Sequence, residues 1–143
     1  MLRRILIGTM LLVLLGDGVV ANVVLQKTKG QNGGWIVIAA GWGFGVAIAV
    51  YVAGWASGGH LNPAVTVGMA VLGQLGWDQV PSYLAAQFLG GFLGAILVWA
   101  AYLPHWSKTD DQIAKLSVFS TVPAIRHTAG NLICEVIGTA VLL

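Results

Sequence analysis

Apolar and polar positions divide this chain into four long apolar runs and one short one. The first run goes from Ile5 to about Leu25. It ends in the stretch Gln26-Lys27-Thr28-Lys29-Gly30-Gln31-Asn32-Gly33-Gly34, whose glycines and small polar residues read as a loop. A second run extends from Trp35 to about Ala56. Between Pro63 and about Leu75 there are only about a dozen helix-competent residues, which at 1.5 Å each cover half of a roughly 30 Å hydrocarbon core. That segment reads as a re-entrant half-helix. A third spanning run lies between Val80 and about Leu103, followed by a long polar connection from Pro104 to His127. The fourth begins near Ala129, and its roughly fifteen residues to Leu143 are too few to cross a bilayer, so the chain is expected to stop inside an element. The pattern predicts an all-α membrane protein with a single domain over residues 1–143.

Composition agrees with that solvent. Hydrophobic residues make up 57% of the chain, charged residues 8%, and the mean hydropathy is +0.84. A soluble surface normally needs about a quarter or more charged residues. The net charge of +2 comes from seven basic and five acidic residues spread thinly between apolar blocks, so neither a nucleic-acid patch nor a disordered charged tail is present. Arg3 and Arg4 precede the first run as in a signal peptide, but the run continues past Ala21 with no small-residue cleavage site, and it reads as a retained helix. The single cysteine, Cys134, has no internal partner and reads as a small buried filler. No nucleophile with a base, metal-ligand cluster or phosphate loop is present, so the sequence points to no enzyme, no metal and no cofactor.

The chemistry concentrates in Ser57-Gly58-Gly59-His60-Leu61-Asn62-Pro63-Ala64-Val65-Thr66. This string follows a membrane-length run directly and places a backbone turn inside the membrane. Non-helical backbone survives at that depth only where it is buried in protein or lines a water-filled cavity, because each unpaired amide costs several kcal/mol. Asn62 is a preferred helix N-cap, and Pro63 fits the first helical position because its missing N–H would lack a partner there. A helix start leaves free backbone donors and roughly half a positive charge at its N-terminus. Such an end repels cations and attracts a hydroxyl oxygen. The Asn62 amide can donate to the same oxygen, while the carbonyls of Gly58, Gly59, His60 and Leu61 can accept from hydroxyls. The alternative, that Asn62-Pro63-Ala64 merely begins an ordinary helix, is disfavoured by the membrane context and the preceding Ser-Gly-Gly-His.

Other polar residues lie within apolar runs. Asp17, between Gly16 and Gly18, is costly in lipid and reads either as a pore-vestibule residue or as one satisfied by neighbouring helices. Gln87 and Glu135 read as structural supports that hold loop backbone amides, and His60 as a fixed supporting group. Gly41/Gly45, Gly54/Gly58 and Gly90/Gly94 have small-xxx-small spacing, which lets helices approach closely. Ile5-Leu6-Ile7-Gly8-Thr9 and Glu135-Val136-Ile137-Gly138-Thr139 form a faint internal repeat, as in channels built from two inverted three-helix units.

The string from Ser57 to Thr66 resembles the first signature loop of the major intrinsic proteins, the aquaporin and aquaglyceroporin family. Tyr83 with Ala86-Gln87 and Gly90-Gly91, Glu135 with Gly138-Thr139, and Phe119-Ser120-Thr121 with Pro123 extend the likeness over essentially the whole chain. The last of these resembles the glycerol facilitators in particular. The resemblance implies an aquaporin-like helical bundle, of which this chain holds the first three-helix repeat, its re-entrant half-helix and a truncated fourth span. It implies a passive channel in the cell membrane for glycerol, water and similar small neutral solutes, embedded in lipid as a homo-tetramer. Trp42, twenty residues before Asn62, stands where that group has one wall of its constriction; Trp42 and Val46 would carry a polyol's CH groups, and Asn62 with the carbonyls its hydroxyls. Read without the family, Trp42 is a packing or interfacial tryptophan.

Some positions depart from the family pattern. The buried glutamate usual in the first helix is Ile5 here, so one brace of the central loop is missing. A second Asn-Pro-Ala, its following arginine and further spans are absent, and the expectation is a fragment that forms about half a pore. A water-selective channel, or a non-conducting protein that packs with full-length relatives through its glycine faces, are the alternatives. By lysine and arginine count, the loop of Lys27 and Lys29 and that of Lys108, Lys115 and Arg126 share one side, opposite Arg3 and Arg4. The positive-inside rule would make that side cytoplasmic; the resemblance implies the reverse and is followed, since long loops translocate largely regardless of charge.

Overall fold

The computed structural model describes residues 1–143 except the side chains of Ala56 and Ser57, so the first side chain of the signature string lies outside the described residues. The elements in chain order are α1 (Leu2–Val24), α2 (Trp35–Ser57), α3 (Pro63–Val71), α4 (Val80–Ala101), α5 (Leu103–Trp106), α6 (Gln112–Ser117) and α7 (Thr128–Leu142). Leu2–Val24, Trp35–Trp55 and Val80–Ala101 are long and apolar enough to cross a membrane. At 1.5 Å per residue the 23 residues of α1 rise about 35 Å, enough to pass through the hydrocarbon with some tilt. Phe44, Tyr51, Trp55, Phe88, Phe92 and Trp99 are all more than half exposed, a surface suited to lipid.

The helix α1 stands between α2 and α4 and packs on both. Apolar burial alone does not hold helices together in lipid, whose tails are as apolar as leucine, so close van der Waals contact must do it. Glycines supply that contact on both seams. A Cβ on Gly94 would lie 2.6 Å from the Met10 carbonyl oxygen, and one on Gly90 would overlap the carbonyl oxygen of Leu6. Across the other seam, a Cβ on Gly41 would lie 2.6 Å from Val19, while Gly45 faces Leu15 and the indole of Trp42 covers Gly16. These glycine faces therefore close the chain on itself. That corrects the assignment of the Gly41/Gly45 and Gly90/Gly94 faces as surfaces for packing with relatives, because α1 already fills them. At the far end of the α1–α2 seam, the Arg4 guanidinium sits 4.7 Å from the centroid of the Trp55 ring.

Several boundaries differ from the sequence reading. The half-helix α3 ends at Val71 instead of near Leu75. Gly73, at φ 72°, closes it: its amide donates to the Ala70 carbonyl at 3.1 Å and that of Gln74 to the Met69 carbonyl at 2.9 Å. This double cap satisfies two carbonyls that a helix end leaves open. At nine residues α3 is about 14 Å long, half a hydrocarbon thickness. The long polar connection contains two short helices where only a loop was expected. Asp111 caps α6, its carboxylate accepting from the amides of Ile113 and Ala114 at 2.8 and 3.2 Å.

That connection folds back over the ends of α1 and α4. The Gln26 amide donates to Thr109 Oγ1 at 2.9 Å, and its carbonyl lies 3.0 Å from His105 Nδ1. Leu25, Val98 and Val118 share a buried cluster with Ala21, and Trp106 stacks on Phe119 at 5.6 Å. The two lysine-bearing loops thus meet on one side of the bundle. The helix α7 starts at Thr128, where His127 Nδ1 accepts from the Gly130 amide at 2.9 Å. Its residues from Leu132 onward are exposed, which corrects the expectation that Cys134 is a buried filler: no described element covers that face.

Replacing Gly94 by leucine should force α4 off the Met10 carbonyl and cost about 2–3 kcal/mol, the usual size of an overpacking effect. Leucine at Gly18, which has open space around its Cβ position, should leave stability unchanged or slightly raised. Denaturant titration in detergent micelles, followed by circular dichroism, checks both.

Candidate functional site

The site begins where α2 stops. Gly58 and Gly59 take the left-handed conformation in succession, at φ 69° and 76°, which costs other residues about 1–2 kcal/mol each. The Gly58 amide still donates to the Gly54 carbonyl at 2.9 Å and caps α2; the Leu61 amide then donates to the Gly59 carbonyl at 2.8 Å and tightens the turn. The turn drops the Leu61 side chain, 6% exposed, into a cluster with Ala49 and Ala53 above Gly8. Leu61 therefore contributes backbone to the site and its side chain to the core.

Asn62 is extended, at φ −137° and ψ 134°, and caps α3 by accepting the Ala64 amide on Oδ1 at 2.8 Å. An amide N–H must meet the oxygen of a carboxamide, so this bond fixes its orientation and leaves the Nδ2 donors facing outward from an exposed residue. Pro63 fills the first helical position, and the Thr66 amide closes the first turn on the Asn62 carbonyl at 3.1 Å.

One side chain from another element fastens this turn. Gln87 on α4, 2% exposed, donates from Nε2 to the His60 carbonyl at 2.6 Å and to Thr66 Oγ1 at 2.8 Å. Its donor end, not its acceptor end, reaches the loop. The expectation that Gln87 holds backbone amides is corrected accordingly: it holds a carbonyl and a hydroxyl. His60, 8% exposed, lies against the Tyr83 ring at 5.5 Å. Beside them Ile5 is fully buried against Tyr83 and Ala86. His60 Nδ1 and Gln87 Oε1 are buried with no hydrogen-bond partner among the described residues. Glu135, expected as a second support, is exposed on α7 and makes no hydrogen bond to the loop among the described residues, because α7 does not pack over the turn.

On α2 a single stripe leads to this turn. Trp42, Val46 and Val50 follow at steps of four, and a Val50 methyl lies 3.6 Å from where a Cβ on Gly59 would stand. Val46 is 42% exposed. At the other end of the stripe Trp42 lines a cavity of about 480 Å³ together with Asp17 and residues 117–122 of the long connection. Trp42, Val46, the Gly58–Gly59 turn and Asn62 are thus placed in series, from cavity to half-helix, over about 12 Å of α2. Sequence reasoning missed Val50, Thr66 and Tyr83 as parts of the arrangement. Val50 was legible as the next step of four beyond Val46, and Thr66 as the residue one turn past the cap; Tyr83 was noted as part of the family likeness, but nothing local marked its contact with His60.

The family model described as major intrinsic protein matches residues 5–143. A Thermotoga maritima protein named "Probable glycerol uptake facilitator protein" is 61% identical over 137 residues, covering 96% of this chain and 58% of its own length. The glycerol uptake facilitator protein of Bacillus subtilis is 53% identical over 96% of this chain and 50% of its own. Among solved structures, the aquaglyceroporin from Plasmodium falciparum superposes with a TM-score of 0.72 at 33% identity, covering 79% of this chain and 46% of that one. The chain spans about half the length of the curated relatives it matches.

Replacing Gln87 by leucine removes two buried hydrogen bonds and leaves the His60 carbonyl without this donor, while the Thr66 hydroxyl keeps its bond to the Asn62 carbonyl at 3.2 Å, a cost of about 1–3 kcal/mol. Hydrogen exchange by mass spectrometry should show peptides covering residues 58–66 exchanging roughly tenfold faster or more, while those from α1 keep their protection.

Proposed function

Because this chain belongs to the major intrinsic protein family, we propose that it forms the first half of a passive membrane pore for glycerol and other small neutral solutes, with water passing too. The observation that carries this reading is the series from Trp42 through Val46 to the 58–62 turn: an apolar stripe on α2 that leads to a polar edge at the loop, the two meeting where Val50 lies against Gly59. A polyol needs both, since its CH groups must leave water onto an apolar wall while its hydroxyls find partners. The names of the relatives, glycerol uptake facilitators and an aquaglyceroporin, support the same solute class.

Each residue then has a role. Trp42 and Val46 carry the carbon skeleton. The carbonyls of Gly58, Gly59, His60 and Leu61 accept hydroxyl hydrogens; at His60 one of two lone pairs is already taken by Gln87, which fixes the aim of the other. Asn62 donates from Nδ2 to a hydroxyl oxygen, with Pro63 and Ala64 forming the first turn of α3. The N-terminus of α3, carrying roughly half a positive charge, repels cations at the same point. Gln87 supports the turn without touching the solute, and Glu135 has its supporting part only where further protein brings α7 against the loop. No step needs a cofactor or a metal. We assign residues 1–143 to one aquaporin-like domain whose lumen is closed by a second repeat, and the assembly to a homo-tetramer in the cell membrane.

The test is stopped-flow light scattering on proteoliposomes holding this chain together with the second half of the Thermotoga maritima relative. Glycerol re-swelling should exceed that of empty vesicles. Asn62→Asp, which replaces the outward donors by an anion, should lower glycerol flux at least about tenfold, the effect of one lost charge-sensitive hydrogen bond. Trp42→Ala should widen the passage, admitting four- and five-carbon polyols while water flux is retained. Glycerol flux equal to that of empty vesicles with intact water flux would instead assign a water-selective pore.

A further inference from the structure

A second cavity, an open groove of about 400 Å³, runs between α1 and α4. Leu14, Leu15 and Gly18 of α1 and Val98 of α4 line its apolar length, and Asn22 and Tyr102 stand at the end nearest the loops. It shares no residue with the cavity at Trp42, which takes Asp17, Val20 and Val24 from α1. At 3.6 residues per turn Gly18 and Asn22 lie on the opposite side of α1 from Val20 and Val24, so the groove faces away from the proposed solute path. A Cβ at Gly18 would meet nothing within 4 Å.

Three cations gather at the loop-side end. Thr28 Oγ1 donates to the Asn22 carbonyl and folds the first loop over the end of α1, while the Tyr102 ring lies 5.8 Å from that of His105. The bonds of Gln26 to Thr109 and His105 make Lys27 and Lys108 flank one tied pair, with Lys29 in the same loop. Lys27 holds its place at φ 62°, a left-handed conformation that suits Gly, Asn or Asp better than lysine, so the backbone does not account for the residue type. None of these lysines forms an ion pair among the described residues, and the Asn22 carboxamide and Tyr102 hydroxyl make no hydrogen bond there. Of the acidic neighbours Asp110 and Asp111, the second is engaged as the cap of α6. Trp99, half exposed, and Trp106, whose indole N–H donates to the Trp99 carbonyl at 2.9 Å, mark the membrane surface at this level. The lysines therefore stand at headgroup depth, and the groove leads from them into the hydrocarbon.

We propose that this groove binds an anionic diacyl phospholipid. Lys27, Lys29 and Lys108 meet its phosphate, Asn22 and Tyr102 its ester region, and one acyl chain lies along Leu14, Gly18 and Val98. Charge complementarity selects this occupant: a neutral lipid fills the apolar length and leaves the cations unpaired, while a free phosphate pairs the cations and leaves the groove open. The lipid touches both helices of the α1–α4 seam beyond Gly94, where glycine contacts no longer hold it. Binding needs no solute path, so the inference stands or falls apart from the proposed pore.

The test is native mass spectrometry of the 143-residue chain in detergent, titrated with phosphatidylglycerol, with phosphatidylcholine of the same chains, and with glycerophosphoglycerol, which is the headgroup without chains. Phosphatidylglycerol should give a saturable adduct, and the other two should bind at least about tenfold more weakly. Replacing Lys27, Lys29 and Lys108 together by glutamine should lower phosphatidylglycerol affinity at least about tenfold. Gly18→Leu, which fills the groove and leaves the lysines in place, should do the same, with circular dichroism confirming that both variants stay helical. Equal affinity for phosphatidylcholine or for the chainless headgroup, undiminished phosphatidylglycerol binding by either variant, or a second copy of the chain in place of the lipid would overturn the assignment.

Discussion

The turn at residues 58–62 lies where hydrocarbon offers no hydrogen bonds, and the carboxamide of Gln87 meets its needs from α4. A helix satisfies its own backbone, which is why the three long elements can stand in lipid unaided. A reversal between α2 and α3 cannot. Its two left-handed glycines and the Asn62 cap settle most of its polar groups locally, and the Thr66 hydroxyl donates to the Asn62 carbonyl at 3.2 Å, yet the His60 carbonyl remains; it and the Thr66 oxygen converge on one nitrogen at 2.6 and 2.8 Å. Everything proposed for the pore depends on this fastening, since it fixes which carbonyl directions stay open toward a solute.

Gln87 can reach the turn only because α4 lies close to α1. Gly90 and Gly94 sit one and two turns beyond Gln87, facing the Leu6 and Met10 carbonyls, so the seam that sets the helix distance also sets the depth of the Gln87 side chain. Trp42 shows the same economy on the other seam: its ring covers Gly16 and also lines the cavity. The packing reading of Trp42 is met by its contact with Gly16, and the proposed pore-wall role draws on the same placement.

Local rules made most of the elements legible. Apolar run length identified the spans, and Asn62-Pro63 identified the start of α3, because caps and hydrophobic length act within a few residues. Contacts between distant residues were not legible. The direction in which Gln87 presents its amide, the return of residues 104–127 over the ends of α1 and α4 and the pairing of Gly41 with Val19 follow from packing, which no window of sequence contains. The end of α3 was misplaced although Gly73 marked it, since Leu72, Gln74 and Leu75 are acceptable helix formers and masked a stop set by two backbone bonds.

The internal repeat sharpens the same distinction between local pattern and context. Gly8 and Gly138 occupy matching positions in the five-residue motif of α1 and α7. Around Gly8 a Cβ would meet Ala53 and Leu61 at 2.6 and 2.8 Å, so that glycine is fixed by the turn it covers. Around Gly138 there is open space. A glycine in the middle of a helix costs roughly 1 kcal/mol relative to alanine, and nothing described around Gly138 offsets that cost. Its placement makes physical sense if a second turn, built like residues 58–62, packs on α7 as the first packs on α1. Glu135 would then face that seam in the way Ile5 faces Tyr83 and Ala86.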